Sequence, residues 1–403
     1  MHVLFLGNGF DLYHGLKTSY KDFLRIIKNL NEFKEEIRIY KGERRTEKEL
    51  LFKDLFEGLL SINTDNSDRI YDLLYGNIWT KYFAKCNADI QGWIDFENAI
   101  NPVLDLFRNV FVDGVGVTSS DRFFRVPTYK AKSYKEVGLA NILNMFFINS
   151  NETIYEVKSM YYDKTYGLLK SKIISDLESD LERFTLAFNL YLIEFVEARH
   201  INQYKWINNI SPDRIISFNY TKKEREYFSN LPENVCSHVH GMTDYNNIVF
   251  GTDLIEDTDE DFIRFSKRYQ RLMKVGDFSY LSFVTESFGF NELFDNGSNK
   301  GLEVSFIGCS LDKNDSKIFM QYIEEAEVIN IYCYGFDDYR KAIGNLIGIF
   351  DSDFIGQLQR KRKLLFWDIK DLAYDAFPKK VEPKAYFVKK MANDRNYQKE
   401  INT

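Results

Sequence analysis

The stretch LFLGNGFD, residues 4–11, sets the reading of the whole chain. A short apolar run enters Gly7-Asn8-Gly9, and Asp11 then opens what reads as a helix. A strand that ends in GxG and feeds a helix presents backbone N–H groups and the positive end of the helix dipole to an anion, with the glycines letting a phosphate come close. The third glycine of the usual dinucleotide fingerprint is missing, since Leu12 follows Gly9-Phe10-Asp11. Two readings therefore stay open at this point. The glycines are either a phosphate cradle or a tight turn that needs positive φ. Asp11 is either a chemical group or the N-cap of the short helix.

Further runs that suit strands buried on both faces occur at VLFLG (3–7), RIISF (214–218), CSHVHG (236–241), EVSFIG (303–308), VINIYCYG (328–335) and KLLFWD (363–368). About 200 residues with helical periodicity separate the first from the second. Within them SYKDFLRIIKNL opens with a capping box, Ser19 to Asp22, and residues 170–200 keep a helical period throughout. The expected architecture is α/β, one parallel sheet of about six strands with a large helical insertion after the first strand. The corresponding division is 1–23 for the first strand and glycine turn, 24–210 for the mainly helical insertion, 211–382 for the rest of the α/β domain, and 383–403 for a weakly patterned tail. Residues 113–135 read as the longest loop.

Composition narrows the function classes. With 60 acidic against 53 basic residues and a net charge of −7, mixed along the chain, nucleic acid is not the expected partner. Cys86, Cys236, Cys309 and Cys333 are far apart and form no CxxC pair, which argues against a zinc ribbon and a disulfide framework. LFLG is too short for a secretory signal, and no apolar run is long enough to span a bilayer. The expectation is a cytoplasmic protein of 403 residues, large enough to bury a substantial core. Only 6 prolines and a 16% aromatic share point to long helices with bulky packing.

Polar residues recur at the expected strand ends. SFNYT (217–221) places Asn219 at one carboxyl tip, SHVHG (237–241) places His238, His240 and Gly241 at another, and FIGCSLDKND (306–315) brings Gly308 and Ser310 to a third. In an open parallel sheet ligands bind beyond the carboxyl ends of strands, so these tips are candidate site residues. Asn219 is equally a turn-former, and His240 equally a satisfied strand-end histidine. His238 and His240, two apart on a strand, also suit a pair of metal ligands in a hydrolase or nuclease, with carboxylates completing the set. In GWIDFENAINPVL (92–104), Glu97 falls on an apolar helical stripe, where burial would raise its pKa and suit it to general acid or base work. Asp312 or Asp315 is placed to cap the helix that follows.

Taken together, GNGFDLYHGLKTSYKDF (7–23), GWIDFEN, SFNYT, HVHG and GCSLDKND resemble the AbiH family of bacterial abortive-infection proteins, itself similar to sirtuin-like NAD-binding domains. The resemblance implies a Rossmann-like sheet, with Gly7, Asn8, Gly9, Phe10, Gly241, Gly308 and Ser310 around the nucleotide and Asn219 and His240 acting at the nicotinamide ribose. Three features depart from the sirtuin pattern: Asn8 stands between the glycines, Tyr220 and Thr221 replace an isoleucine and an aspartate, and the four-cysteine zinc module is absent.

Protein deacylation is therefore the lesser expectation, and the family's link to phage defence favours NAD consumption. On that reading Asn219 positions a water or the ribose hydroxyls and His240 is the general base. Asp11 or Glu97 stabilises an oxocarbenium-like transition state. NAD is the expected substrate or ligand and no metal is expected. A homo-oligomer and a phage-derived trigger are the expected means of restraint. The alternatives are a nucleotide-binding sensor without turnover and the metal-dependent hydrolase or nuclease.

Overall fold

The computed structural model describes residues 1–45, 48–59, 64–85, 96–112, 123–125, 134–151, 154–252, 255, 259–274, 301–313 and 315–383. In chain order the strands are β1 (His2–Leu6), β2 (Phe123–Arg125), β3 (Phe147–Asn151), β4 (Ile154–Val157), β5 (Tyr162–Asp163), β6 (Gly167–Leu168), β7 (Arg214–Ser217), β8 (Cys236–His238), β9 (Glu303–Ile307), β10 (Val328–Cys333), β11 (Leu364–Asp368) and β12 (Lys379–Lys380). The described chain falls into two compact units.

The first unit is built from Met1–Leu16, Ile201–Val239 and the described part of Asp277–Thr403. Its sheet has seven strands in the order β12-β11-β10-β9-β1-β7-β8. Six of them run parallel, and β12 pairs antiparallel with β11. All six strands expected from apolar runs are present within a few residues. The seventh, β12, consists of two exposed lysines and carries no apolar signal.

The central strand explains why the runs are continuous rather than alternating. Val3 and Phe5 enter one apolar cluster with Ile216, Phe306 and Phe319, while Leu4 and Leu6 enter another with Phe10, Trp206 and Ile215. Both faces of β1 are thus covered, and all four side chains are fully buried. Phe5 stacks on Phe306 at 4.8 Å between ring centres and meets Tyr322 edge-on at 5.2 Å. The chain leaves β1 for β7 and β8 on one side and returns to β9, β10 and β11 on the other. The switch in strand order therefore lies between β1 and β9, where the turns after Leu6 and Ile307 meet.

The second unit comprises Lys17–His200 and His240–Gly276. It carries the three-stranded antiparallel sheet β2-β4-β3, the hairpin β5-β6 and a set of helices. At the expected capping site, the start of the helix Tyr20–Lys28, Ser19 Oγ caps the Asp22 N–H and donates to the Asp22 carboxylate. The long helix Lys170–Tyr191 continues into a π-helical turn at Leu192–Glu197. Its Phe184 packs with Phe23 and Phe83, Trp79 stacks on Phe83, and Trp79 Nε1 donates to Leu177 O at 2.8 Å. Of residues 113–135 only β2 and 134–135 are described, and the tail after Pro383 and Cys86 lie outside the described residues.

Candidate functional site

At the end of β1 the helix Asn8–Tyr13 begins at once, with Gly7 as its N-cap. Asp11 is not the cap, as one sequence reading had it, because the helix starts directly after Gly7 and Asp11 is its fourth residue. The turn packs backbone to backbone on the turn after β9. A Cβ on Gly7 would lie 2.7 Å from Cys309 Cα, one on Gly9 2.7 Å from Gly308 Cα, and one on Gly308 would fall on the Phe10 nitrogen. Gly308 also has φ +67. The N–H of Gly7 donates to Ile307 O at 3.0 Å, that of Gly9 to Gly308 O at 2.9 Å and that of Phe10 to Gly7 O at 2.8 Å. Two of these donors tie the β1 turn to the β9 turn, and the third closes the β1 turn on itself. The three glycines have a packing duty of their own here, and the half-buried Asn8 sits between two of them.

Asn219 and Asp11 lie in the same unit beside this turn's chain segments. Asp11 is 1% exposed and accepts the Thr221 hydroxyl at 2.6 Å. Thr221 is thereby committed to an acid supplied by the first helix. Asn219 is 4% exposed; its N–H donates to Ser217 Oγ at 3.2 Å and its carbonyl accepts from His238 Nδ1 at 2.9 Å. Its side-chain oxygen Oδ1 is buried and has no partner in the described protein. An amide oxygen held away from water costs about 1–3 kcal/mol unless a donor reaches it. The backbone of Asn219 is fixed on both sides, while its side-chain Oδ1 is left without a partner among the described residues.

Replacing Thr221 with valine is expected to lower stability by about 1–3 kcal/mol, since buried Asp11 loses a hydrogen-bond donor. Urea denaturation of the variant against the wild type checks this.

His14 closes the segment from the other side. Its Nδ1 donates to Phe10 O at 2.7 Å, and its Nε2 accepts from the Tyr227 hydroxyl at 2.6 Å. Burial pushes the ring down to a pKa of about 4. The unfolded chain binds this proton near pH ~6.5 while the folded chain refuses it until about pH 4. Stability is therefore whole above the unfolded value and is lost as pH falls through this window, by on the order of 3 kcal/mol. Unfolding free energies of wild type and His14→Gln at about pH 7 and about pH 4.5 are expected to show a flatter dependence in the variant.

Strand β8 ends at His238, so His240 and Gly241 are not on it, and the expected same-face pair of histidines does not form on one strand. Gly241 has φ +78, and a Cβ there would run into the Asn247 carbonyl group. The reversal is held by Val249 N–H to His240 O at 2.9 Å and Met242 N–H to Asn247 Oδ1 at 2.8 Å. His240 is 5% exposed, and Arg271 donates to its Nδ1 at 3.2 Å. A guanidinium has no lone pair to offer, so the neutral ring carries its proton on Nε2 while this bond stands.

The remaining expected residues are placed as follows. Ser310 is exposed and donates to Asp312 at 2.8 Å, and its carbonyl accepts from Asn345. Asp315, and not Asp312, occupies the N-cap position of the helix Ser316–Glu325, without a side-chain cap bond. Glu97 belongs to the helix Phe96–Val112, and its side chain lies outside the described residues.

Two residues that sequence reasoning passed over stand near Asn219. Glu224 is 2% exposed in the 3-10 turn Lys223–Glu226, and Cys236 starts β8. Burial disfavours a charged His238 ring, but the Glu224 carboxylate outweighs it and holds the ring's pKa well above the usual histidine range. Cys236 and His238 are two apart on a strand, a spacing visible in the sequence. Nothing in the sequence links them to Glu224.

The fold and these residues define a class: a mostly parallel α/β protein whose polar groups gather at the carboxyl ends of its central strands. The chain belongs to the bacteriophage abortive infection AbiH family, whose model matches residues 3–334. No curated protein and no solved structure matches it. Among the described residues no helix is long and apolar enough to cross a membrane.

Proposed function

We infer that this AbiH-family protein is a phage-defence effector that binds NAD and hydrolyses its nicotinamide glycosidic bond. The observation that carries the reading is the buried, unpartnered Oδ1 of Asn219 beyond the carboxyl end of a central parallel strand. The change in strand order between β1 and β9 supports the Rossmann-like description, because ligands of such sheets bind where the order reverses.

In the proposed reaction water adds to the ribose carbon as the bond to nicotinamide breaks, giving nicotinamide, ADP-ribose and a proton. Asn219 Oδ1 accepts a hydrogen bond from a ribose hydroxyl or the attacking water. Asp11, which accepts the Thr221 hydroxyl, is the proposed stabiliser of the oxocarbenium-like transition state, with Glu97 the alternative. His240 is the proposed general base. Because Arg271 occupies Nδ1, the ring takes a proton only after that bond opens, so Arg271 controls when His240 can act. Gly7, Asn8, Gly9, Phe10, Gly308 and Ser310 are proposed to contact the nucleotide, chiefly through close backbone approach. Assembly into a homo-oligomer or a phage-derived component is the proposed restraint on NAD loss, and the cytoplasm is the proposed location.

The test is incubation of the purified chain with NAD, alone and with extract from phage-infected cells, followed by quantification of nicotinamide and ADP-ribose. Equal release of both products supports the hydrolase. Tight NAD binding with no release under either condition overturns hydrolysis in favour of a sensor.

A further inference from the structure

Glu224 Oε1, Cys236 Sγ and His238 Nε2 converge on one point inside the first unit. Oε1 and Nε2 are 3.3 Å apart, Sγ and Oε1 3.6 Å, and Sγ and Nε2 3.8 Å. For zinc bonds of about 2.0–2.3 Å at tetrahedral angles, the N···O edge is about 3.3 Å and the edges to sulfur about 3.5 Å. The three donors already stand close to the corners such an ion requires.

The hydrogen bonds favour a shared ion over a catalytic relay. In a Cys–His–Glu relay the thiol and the carboxylate take opposite nitrogens of the ring. Here both approach Nε2, while Nδ1 faces the Asn219 carbonyl at 2.9 Å. A backbone carbonyl on the far nitrogen is the arrangement that fixes the tautomer and aims a histidine at a metal. The charges also suit the location. A thiolate and a carboxylate cancel a divalent cation inside a buried site, so no net charge is left away from water. Arg225 Nε stays 3.9 Å from Glu224 Oε1, and the guanidinium is held by the carbonyls of Leu231 and Glu233.

We propose that Glu224, Cys236 and His238 bind a zinc ion, with water at the fourth corner. The mixed sulfur, nitrogen and oxygen set selects zinc over magnesium or calcium. The ion would tie the turn Lys223–Glu226 to the edge strand β8 and, through the His238 ring, brace the backbone of Asn219. This goes beyond the expectation that no metal is present and beyond the pair His238 and His240, and it does not depend on NAD cleavage.

The test reads metal rather than turnover. Untagged full-length protein is stripped with chelator, exposed to Zn²⁺ and dialysed, and its metal content is measured; about one zinc per chain is expected. Co²⁺ in place of zinc is expected to give a thiolate-to-cobalt charge-transfer band and tetrahedral visible bands. Cys236→Ser should abolish the charge-transfer band. Glu224→Gln should keep the band and weaken zinc in competition with a chromophoric chelator by more than about tenfold. If Cys236→Ser does not fold, the wild-type cobalt spectrum and Glu224→Gln decide the matter. Wild-type protein that retains no zinc, a cobalt spectrum without the thiolate band, or a band unchanged in folded Cys236→Ser would overturn the site.

Discussion

Replacing His240 with alanine is expected to slow nicotinamide release from NAD by about 10²–10⁴-fold, the range associated with loss of a general base. The effect should fall on kcat, since a base contributes to the transition state more than to ground-state binding. Burial of the ring at 5% exposure makes a check on folding necessary, because alanine also leaves Arg271 without the acceptor it now uses. His240→Gln keeps an acceptor for Arg271 and removes the base, so it should be as slow as the alanine variant while melting closer to the wild type. Arg271→Ala makes the complementary case: Nδ1 is released, and the ring becomes able to shift its proton and accept another. A folded His240→Ala protein that releases nicotinamide at the wild-type rate would remove His240 from the chemistry.

The largest expected effect on stability is at Gly308. Alanine there would hold a left-handed backbone, costing about 1–3 kcal/mol, and would set its Cβ against the Phe10 nitrogen. The neighbour is backbone tied by its own hydrogen bond to Gly7 O, so relief requires the β1 turn to move, a further cost of about 1–3 kcal/mol. The sum, about 2–6 kcal/mol, is a large part of the total stability of an ordinary domain. Gly344 and Gly348 provide the contrast within the same unit. Both lie inside the helix Gly335–Phe350 with open space where a Cβ would go, so alanine there should stabilise by about 0.5–1 kcal/mol. Chemical denaturation of the three variants separates the cases. A Gly308→Ala protein as stable as the wild type would mean the two turns do not pack as described.

The contrast also explains what a sequence discloses. The six main strands were legible because burial on both faces turns each into an unbroken apolar run, as Val3, Leu4, Phe5 and Leu6 demonstrate. Strand β12 was not, since two exposed lysines owe their pairing to the neighbouring strand rather than to their own side chains. CSHVHG reads as one strand through Gly241, but the backbone reverses there, and a reversal driven by one glycine at φ +78 leaves no mark on apolar spacing. The pattern GNG was visible as a turn. That its glycines meet Gly308 across the strand switch was not, because a contact between residues some 300 positions apart has no local signature. The same holds for Glu224, whose partners Cys236 and His238 lie on another element. The motif order did suffice to name the AbiH family, which the family match over residues 3–334 establishes.

The most direct test of the central claim is product analysis on wild-type and Asn219→Ala protein incubated with NAD, in buffer and in extract from phage-infected cells. The prediction is equimolar nicotinamide and ADP-ribose from the wild type and a loss of about 10²–10³-fold in the variant, as when one positioning hydrogen bond is removed. NAD left intact by the folded wild-type protein in both settings, or product release unaffected by loss of Asn219, would contradict the account.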